Sequence, residues 1–193
     1  MKREILITGL GGQGIVLAGQ VLGTAACLVD CLESTLTQSY GPEARGGACS
    51  AQLIISDTMI HYPYVRNADI LVCMSQMGYD KYRDLLNDNG ILIIDQDMVR
   101  TVDSTGGGVF PIPATRIAEE LGRKMMANIV MLGFITSITA TVTVEGMLSS
   151  VAESVPKGTE EANIAAFNKG YDFGQALLKA RQKKAAAKKG AGS

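Results

Sequence analysis

The sequence predicts an α/β protein: a three-layer α/β/α domain around a mostly parallel but mixed sheet, with helices on both faces. Two observations predict it. A short apolar strand, Glu4–Thr8, runs through a glycine turn into a stretch where Ile15, Ala18, Leu22, Ala25 and Val29 recur at helical spacing. Two continuous apolar runs, Ile70–Met74 and Ile91–Ile94, have the character of strands buried on both faces, and the helical stretch Tyr79–Leu86 between them reads as a crossover. With 193 residues, 47% of them apolar and 19% charged, the chain suits one such core.

The remaining elements follow in order. Glu33–Gln38 is expected as a second strand, and Ser39–Gly47, with Pro42 and three glycines, as a loop. Cys49–Ser56 alternates small or polar with apolar residues, and Asp57 is read as turning the chain back into Met59–Ile60, a hairpin that makes the sheet mixed. Val109–Ile112 is a late strand closed by Pro113. Helices are expected over 115–121, 128–140, 144–154 and 160–185. In the last of these Ile164, Phe167, Tyr171, Gly174 and Leu178 form one stripe directed at the core. The longest apolar run, Ile129–Val144, is interrupted by Ser137 and four threonines; it is too short and too polar for a membrane span and reads as a buried helix. No repeat or long linker divides the chain, so one domain is expected over 1–178 and a basic Ala/Lys helix end or tail over 179–193.

Charge narrows the function classes. The tail holds Lys179, Arg181, Lys183, Lys184, Lys188 and Lys189 and no acid, so the formal net charge of −1 conceals an acidic body. Such a body repels nucleic acid; the basic tail could bind RNA, membrane or an acidic partner, but an Ala/Lys end more often reads as a solvated, fraying helix. Cys27, Cys31, Cys49 and Cys73 include no CxxC pair and His61 is the sole histidine, so no metal or iron–sulfur site is expected on this chain. Three of the four cysteines lie in apolar surroundings and read as small core residues. Without a secretion signal at the N-terminus, reduced thiols and a cytoplasmic location are expected. No catalytic residue is assigned. His61, before Tyr62-Pro63, reads as a surface or interface residue, and no nucleophile–base pairing is visible.

Two motifs remain. Gly9-Leu10-Gly11-Gly12-Gln13-Gly14 fits G-x-G-x-x-G between a strand and a helix, where a Rossmann-like turn lets backbone approach a phosphate. The acid that would hold a ribose is not obvious: Asp30 comes too early and Glu33 stands at the start of its strand. A tight turn without a ligand is the alternative. The second motif is Gln38-Ser-Tyr-Gly-Pro-Glu-Ala-Arg-Gly-Gly47. Arg45 among small residues can grip a carboxylate or phosphate bidentately, or can pair with Glu43 in a purely structural turn.

These stretches, followed by Ile54-Ile-Ser-Asp57, Ala68-Asp69, Asn128-Ile-Val-Met-Leu-Gly133, Val155-Pro-Lys-Gly-Thr-Glu160 and Asn163, resemble in order the gamma subunits of the 2-oxoacid:ferredoxin oxidoreductases. The likeness runs from about residue 3 to 175, and Ser39–Gly47 looks most like the 2-oxoglutarate branch. The resemblance implies a non-autonomous subunit of an enzyme that decarboxylates a 2-oxoacid oxidatively to acyl-CoA and CO2 and reduces ferredoxin. It implies thiamine diphosphate on alpha and beta partners, iron–sulfur clusters on a ferredoxin-like delta partner, CoA in the assembled enzyme, and no cofactor bound by this chain alone. The residues expected to face the active site are Gly9, Gly11, Gly12, Gln13 and Gly14 of the turn, and Tyr40, Glu43, Arg45 and Gly46 of the loop. A stand-alone nucleotide-binding protein and a purely structural assembly subunit are the competing readings.

Overall fold

The computed structural model describes residues 1–39, 47–100 and 108–190, the side chains of 188–190 excepted. Six strands form one sheet in the order β2-β3-β1-β4-β5-β6: β1 (Lys2–Leu10), β2 (Glu33–Ser39), β3 (Ala48–Ser56), β4 (Ala68–Cys73), β5 (Leu86–Asp95) and β6 (Val109–Ile112). β3 runs antiparallel to both its neighbours, whereas β1, β4, β5 and β6 are parallel. The sheet is mixed, as expected, but the reversal does not come from a hairpin at Asp57. Both edges of β3 are already paired, with β1 and with β2, so Met59 and Ile60 cannot pair back onto it. Residues 57–67 instead form an irregular segment, fixed where Val65 N–H donates to Gln52 Oε1 and where Arg66 N–H and Asn67 N–H donate to Glu4 Oε2.

Alternation along the central strands feeds two cores. Ile5, Ile7, Ile70, Val72 and Ile93 point to one face; Leu6, Leu71, Cys73, Leu92 and Ile94 point to the other. The first face carries α1 (Ile15–Thr24), α3 (Ala114–Glu120), α4 (Ala127–Thr139), α5 (Val144–Ser154) and α6 (Glu160–Gly190). The second is covered by α2 (Gln76–Tyr82) together with the 57–67 segment. Helices lie on both faces, very unequally.

The apolar run around Ile129 forms the buried helix α4, in which every residue from Ala127 to Ser137 is buried. It lies between the sheet and α6, which explains why its sequence shows no polar face. Its hydroxyls are satisfied within the helix: Thr136 Oγ1 donates to Leu132 O, and Thr139 Oγ1 to Ile135 O. α6 buries Asn163, Ala166, Phe167, Gly170 and Gly174; of the predicted stripe, Phe167 and Gly174 are buried and Tyr171 and Leu178 pack against the core, while Ile164 is only partly buried. Gly170 joins this face for a steric reason. A Cβ on Gly170 would overlap the Val130 carbonyl, and one on Gly133 would overlap that of Phe167. The two helices therefore cross in backbone contact at their glycines, with Phe173 of α6 set edge-on against Phe134 of α4.

The cysteines divide evenly rather than three to one. Cys49 and Cys73 are buried, but Cys27 and Cys31 are exposed. Beyond α1 the chain widens into a π-helical turn over Ala25–Val29 that leaves Cys27 outside, and Cys31 then takes a left-handed bend, φ 54°.

Candidate functional site

β1 ends at Leu10 and α1 starts at Ile15, so four residues must reverse the chain. Gly12 (φ 93°) and Gly14 (φ 70°) supply the left-handed conformations this requires. Gly9 is needed for space, since a Cβ there would sit 2.5 Å from Gln13 Oε1. Gln13 closes the turn at both ends of its amide. Its Oε1 accepts from Leu10 N–H at 2.6 Å and its Nε2 donates to Met74 O at 3.0 Å, at the end of β4. The crevice between β1 and β4 is where ligands enter doubly wound sheets. Here a side chain of this protein bridges it.

The turn also reaches sideways. Gly11 N–H donates to Gly47 O at 3.3 Å, which ties it to the start of β3. Ser39, the last residue of β2, pairs with Ser50 of β3, so both stems of the 40–46 loop rise from the end of the sheet that carries the glycine turn. Of the predicted site residues, Gly9, Gly11, Gly12, Gln13 and Gly14 are brought together at that end. Tyr40, Glu43, Arg45 and Gly46 lie outside the described residues.

Neither acid considered for a ribose is at this end. Glu33 pairs with Ser56, as Lys2 does, at the opposite edge of the strands. Asp30 accepts from Thr143 N–H (2.7 Å) and Thr143 Oγ1 (2.5 Å), beside the start of α5. The inserted antiparallel β3 has a further effect: it places β2 two strand spacings from β1, about 10 Å, where a Rossmann domain has them adjacent. The described residues thus keep the phosphate-turn geometry without the ribose clamp.

Sequence reasoning missed a groove of about 440 Å³ beside the turn. Gly14 forms one wall, and its carbonyl accepts from Asn128 Nδ2 at 3.1 Å. Asn128 is buried and its Oδ1 accepts from Ile129 N–H, so it clamps the first turn of α4 to the entry of α1. Asn163, buried in the first turn of α6, donates through Nδ2 to Thr159 O at 2.9 Å and holds the opposite wall. Leu17, Met126, Ile129 and Val155 give an apolar lining, with Arg123 and Lys124 contributing positive charge. Three helix N-termini, those of α1, α4 and α6, border it. The only trace of the groove in the sequence was that Asn128, Val155–Glu160 and Asn163 all belonged to the stretches that carried the family resemblance.

Buried Asp95 ends β5 at the same end of the sheet, but its oxygens are occupied by Thr115 N–H, Thr115 Oγ1 and Asp97 N–H, a cap on α3 rather than a free base. Cys49 and Cys73 point to opposite cores, and among the described residues no three of His, Cys, Asp and Glu gather as a metal set. Among those residues, too, no helix is long and apolar enough to cross a membrane.

The family model for pyruvate ferredoxin/flavodoxin oxidoreductase matches residues 4–173. The KorC subunit of 2-oxoglutarate synthase from Methanocaldococcus jannaschii is 50% identical, covering 92% of this chain and 96% of its own. The PorC subunit of pyruvate synthase from Methanothermobacter thermautotrophicus is 32% identical over 88% of this chain and 94% of its own. The gamma subunit of a keto/oxoacid ferredoxin oxidoreductase from Geobacter sulfurreducens superposes with a TM-score of 0.80 at 34% identity, covering 90% of this chain and 99% of that one. The chain belongs to the pyruvate ferredoxin/flavodoxin oxidoreductase family, on the side of its small gamma subunits, whose members are subunits of oxidoreductases.

Proposed function

We propose that this chain is the gamma subunit of a 2-oxoglutarate:ferredoxin oxidoreductase, and that the end of the sheet bearing its glycine turn meets the catalytic centre formed by its partners. The choice of oxoacid rests on the 50% identity to a 2-oxoglutarate synthase subunit against 32% to a pyruvate synthase subunit. The partners are thiamine-binding alpha and beta subunits and a ferredoxin-like delta subunit, in cytoplasm. Thiamine diphosphate supplies the carbanion chemistry of decarboxylation when bound to those partners, and iron–sulfur clusters on them pass the electrons to ferredoxin. This chain supplies surface: Gly9–Gly14 and Tyr40–Gly46 seal the site against water, and Arg45 grips an anionic group of CoA or of the oxoacid.

The observation that carries this reading is the hydrogen bond from Gly11 N–H to Gly47 O. It joins the two motifs at the carboxyl end of the parallel strands, the end at which α/β sheets present ligand-binding loops. Arg45→Ala in the reconstituted complex tests it. The KM for CoA or for 2-oxoglutarate should rise about tenfold, the loss of one charge-assisted pair, while the complex elutes intact. Unchanged kinetics would remove the role of Arg45, and dissociation of the complex would favour a purely structural subunit.

A further inference from the structure

Met125 is the most exposed large hydrophobic side chain among the described residues, at 83%. It stands on a knuckle between α3 and α4, where Gly122 (φ 83°) bends the chain and Lys124–Met126 forms a single 3-10 turn. Met126, the next residue, is buried in the floor of the groove beside the glycine turn, and Met125 forms part of the rim of that groove. An apolar knob and an apolar hole therefore lie side by side. One exposed methionine is ordinary, but one that continues into an apolar groove makes a contiguous patch, and such patches with polar rims mark interaction sites.

Charge points to what covers it. Of the described residues that line the groove only Arg123 and Lys124 are charged, and both are basic; Lys124 also pairs with Glu119 at 3.1 Å. The hole is pre-formed, since the amides of Asn128 and Asn163 clamp its walls, while the unbranched thioether of Met125 can adapt to an opposing surface.

We propose that this knuckle and groove dock a different protein chain, one that lays an apolar side chain in the groove, receives Met125 in a pocket and sets carboxylates against Arg123 and Lys124. The proposal rests on the reading that the glycine-turn end meets the thiamine-binding subunits, because Gly12 and Gly14 line the same groove. One of those subunits is the partner. A small molecule would fill the groove but leave Met125 in water. A second copy, paired here about a two-fold axis, would crowd two Arg123 and two Lys124 side chains together, and like charges across an interface oppose docking. Nucleic acid would meet the cations but offers its phosphates nothing in the apolar floor. Methionine and arginine at the centre of a patch are also what protein interfaces enrich.

The test is the affinity of the full-length chain for the other subunits of the complex, purified together without it, by titration calorimetry at low and high salt. Met125→Asp should weaken binding about thirtyfold or more, the size of an interface hot spot, and Met125→Ala about tenfold. Both should melt as the wild type does, because the side chain is exposed. Arg123→Ala/Lys124→Ala should weaken binding about three- to tenfold and flatten its salt dependence. Met59→Asp is the control: its side chain is 73% exposed on the segment that covers the other face of the sheet, and it should bind as the wild type does. If M125D binds no more weakly than M59D, the docking surface is overturned and the gamma-subunit reading stands. An unaltered salt dependence in R123A/K124A likewise overturns the acidic partner surface. If the wild-type chain binds no thiamine-binding subunit, that reading falls and this surface with it.

Discussion

At the scale of single residues, Gly14 combines a left-handed conformation, the entry of α1 and contact with a helix more than a hundred residues away in sequence. Its φ of 70° already disfavours any L side chain, and a Cβ would run into the amide of Asn128. Gly12 has the same conformational demand, φ 93°, but open space around it. The pair separates backbone strain from crowding. Gly12→Ala should cost about 1 kcal/mol, the left-handed penalty alone. Gly14→Ala should cost about 2–4 kcal/mol, because Asn128 must move and lose its bond to the Gly14 carbonyl. Urea denaturation of the two variants checks the order. Equal losses would show that Asn128 yields freely and that the groove wall is soft. The groove is thus held by an amide whose importance no local pattern reveals.

At the scale of elements, α4 and α6 cross in direct backbone contact. Gly133 and Gly170 each meet the backbone of the other helix, and Gly174 lies against Ser137. Gly170→Ala should gain up to about 1 kcal/mol of helix propensity. It should lose about 3 kcal/mol or more, because the Val130 carbonyl cannot move without α4, and α4 is buried along most of its length. A net fall in thermal midpoint, of several degrees or more, is the expected outcome; a rise would mean the helices separate at little cost. Elements like these differ in how far a sequence reveals them. β4 and β5 are legible as apolar runs because both their faces are buried, and α4 as a long apolar stretch broken only by hydroxyls it satisfies itself. The double pairing of β3 is not legible, because Asp57 is a sound local turn signal whereas strand order depends on which edges are still free. For the same reason Gly9–Gly14 could be found as a motif, but its groove could not. Asn128 and Asn163 look like ordinary helix residues until α4 and α6 bring them to Gly14. The α6 stripe shows a related limit: Phe167, Tyr171, Gly174 and Leu178 do meet the core, but hydrophobicity also weights Ile164, while close approach selects Gly170.

At the scale of the whole molecule, the sheet is shared by two cores of very different thickness. Five helices cover one face; a seven-residue helix and an irregular segment cover the other. Such asymmetry invites the thin face to open first, as weakly packed regions often do. The strands argue against that. Leu6 stands between Ile5 and Ile7, Leu71 between Ile70 and Val72, and Ile93 between Leu92 and Ile94, so neither face can be dismantled without loosening the strands that carry the other. Two buried thiols report on this directly, because Cys49 belongs to the thick core and Cys73 to the thin one. Burial pushes both thiols up, and the nearby Asp80 carboxylate pushes Cys73 further, so the folded protein holds them in the unreactive protonated form. Cys27 and Cys31 are exposed and should be modified at once by a disulfide reagent in the native state. Across a urea series read by peptide mass mapping, Cys49 and Cys73 should then become reactive with one common midpoint, coincident with the loss of helical circular dichroism. If Cys73 responds at a distinctly lower urea concentration than Cys49, the alternating strands do not couple the two cores and the thin face unfolds as a separate unit.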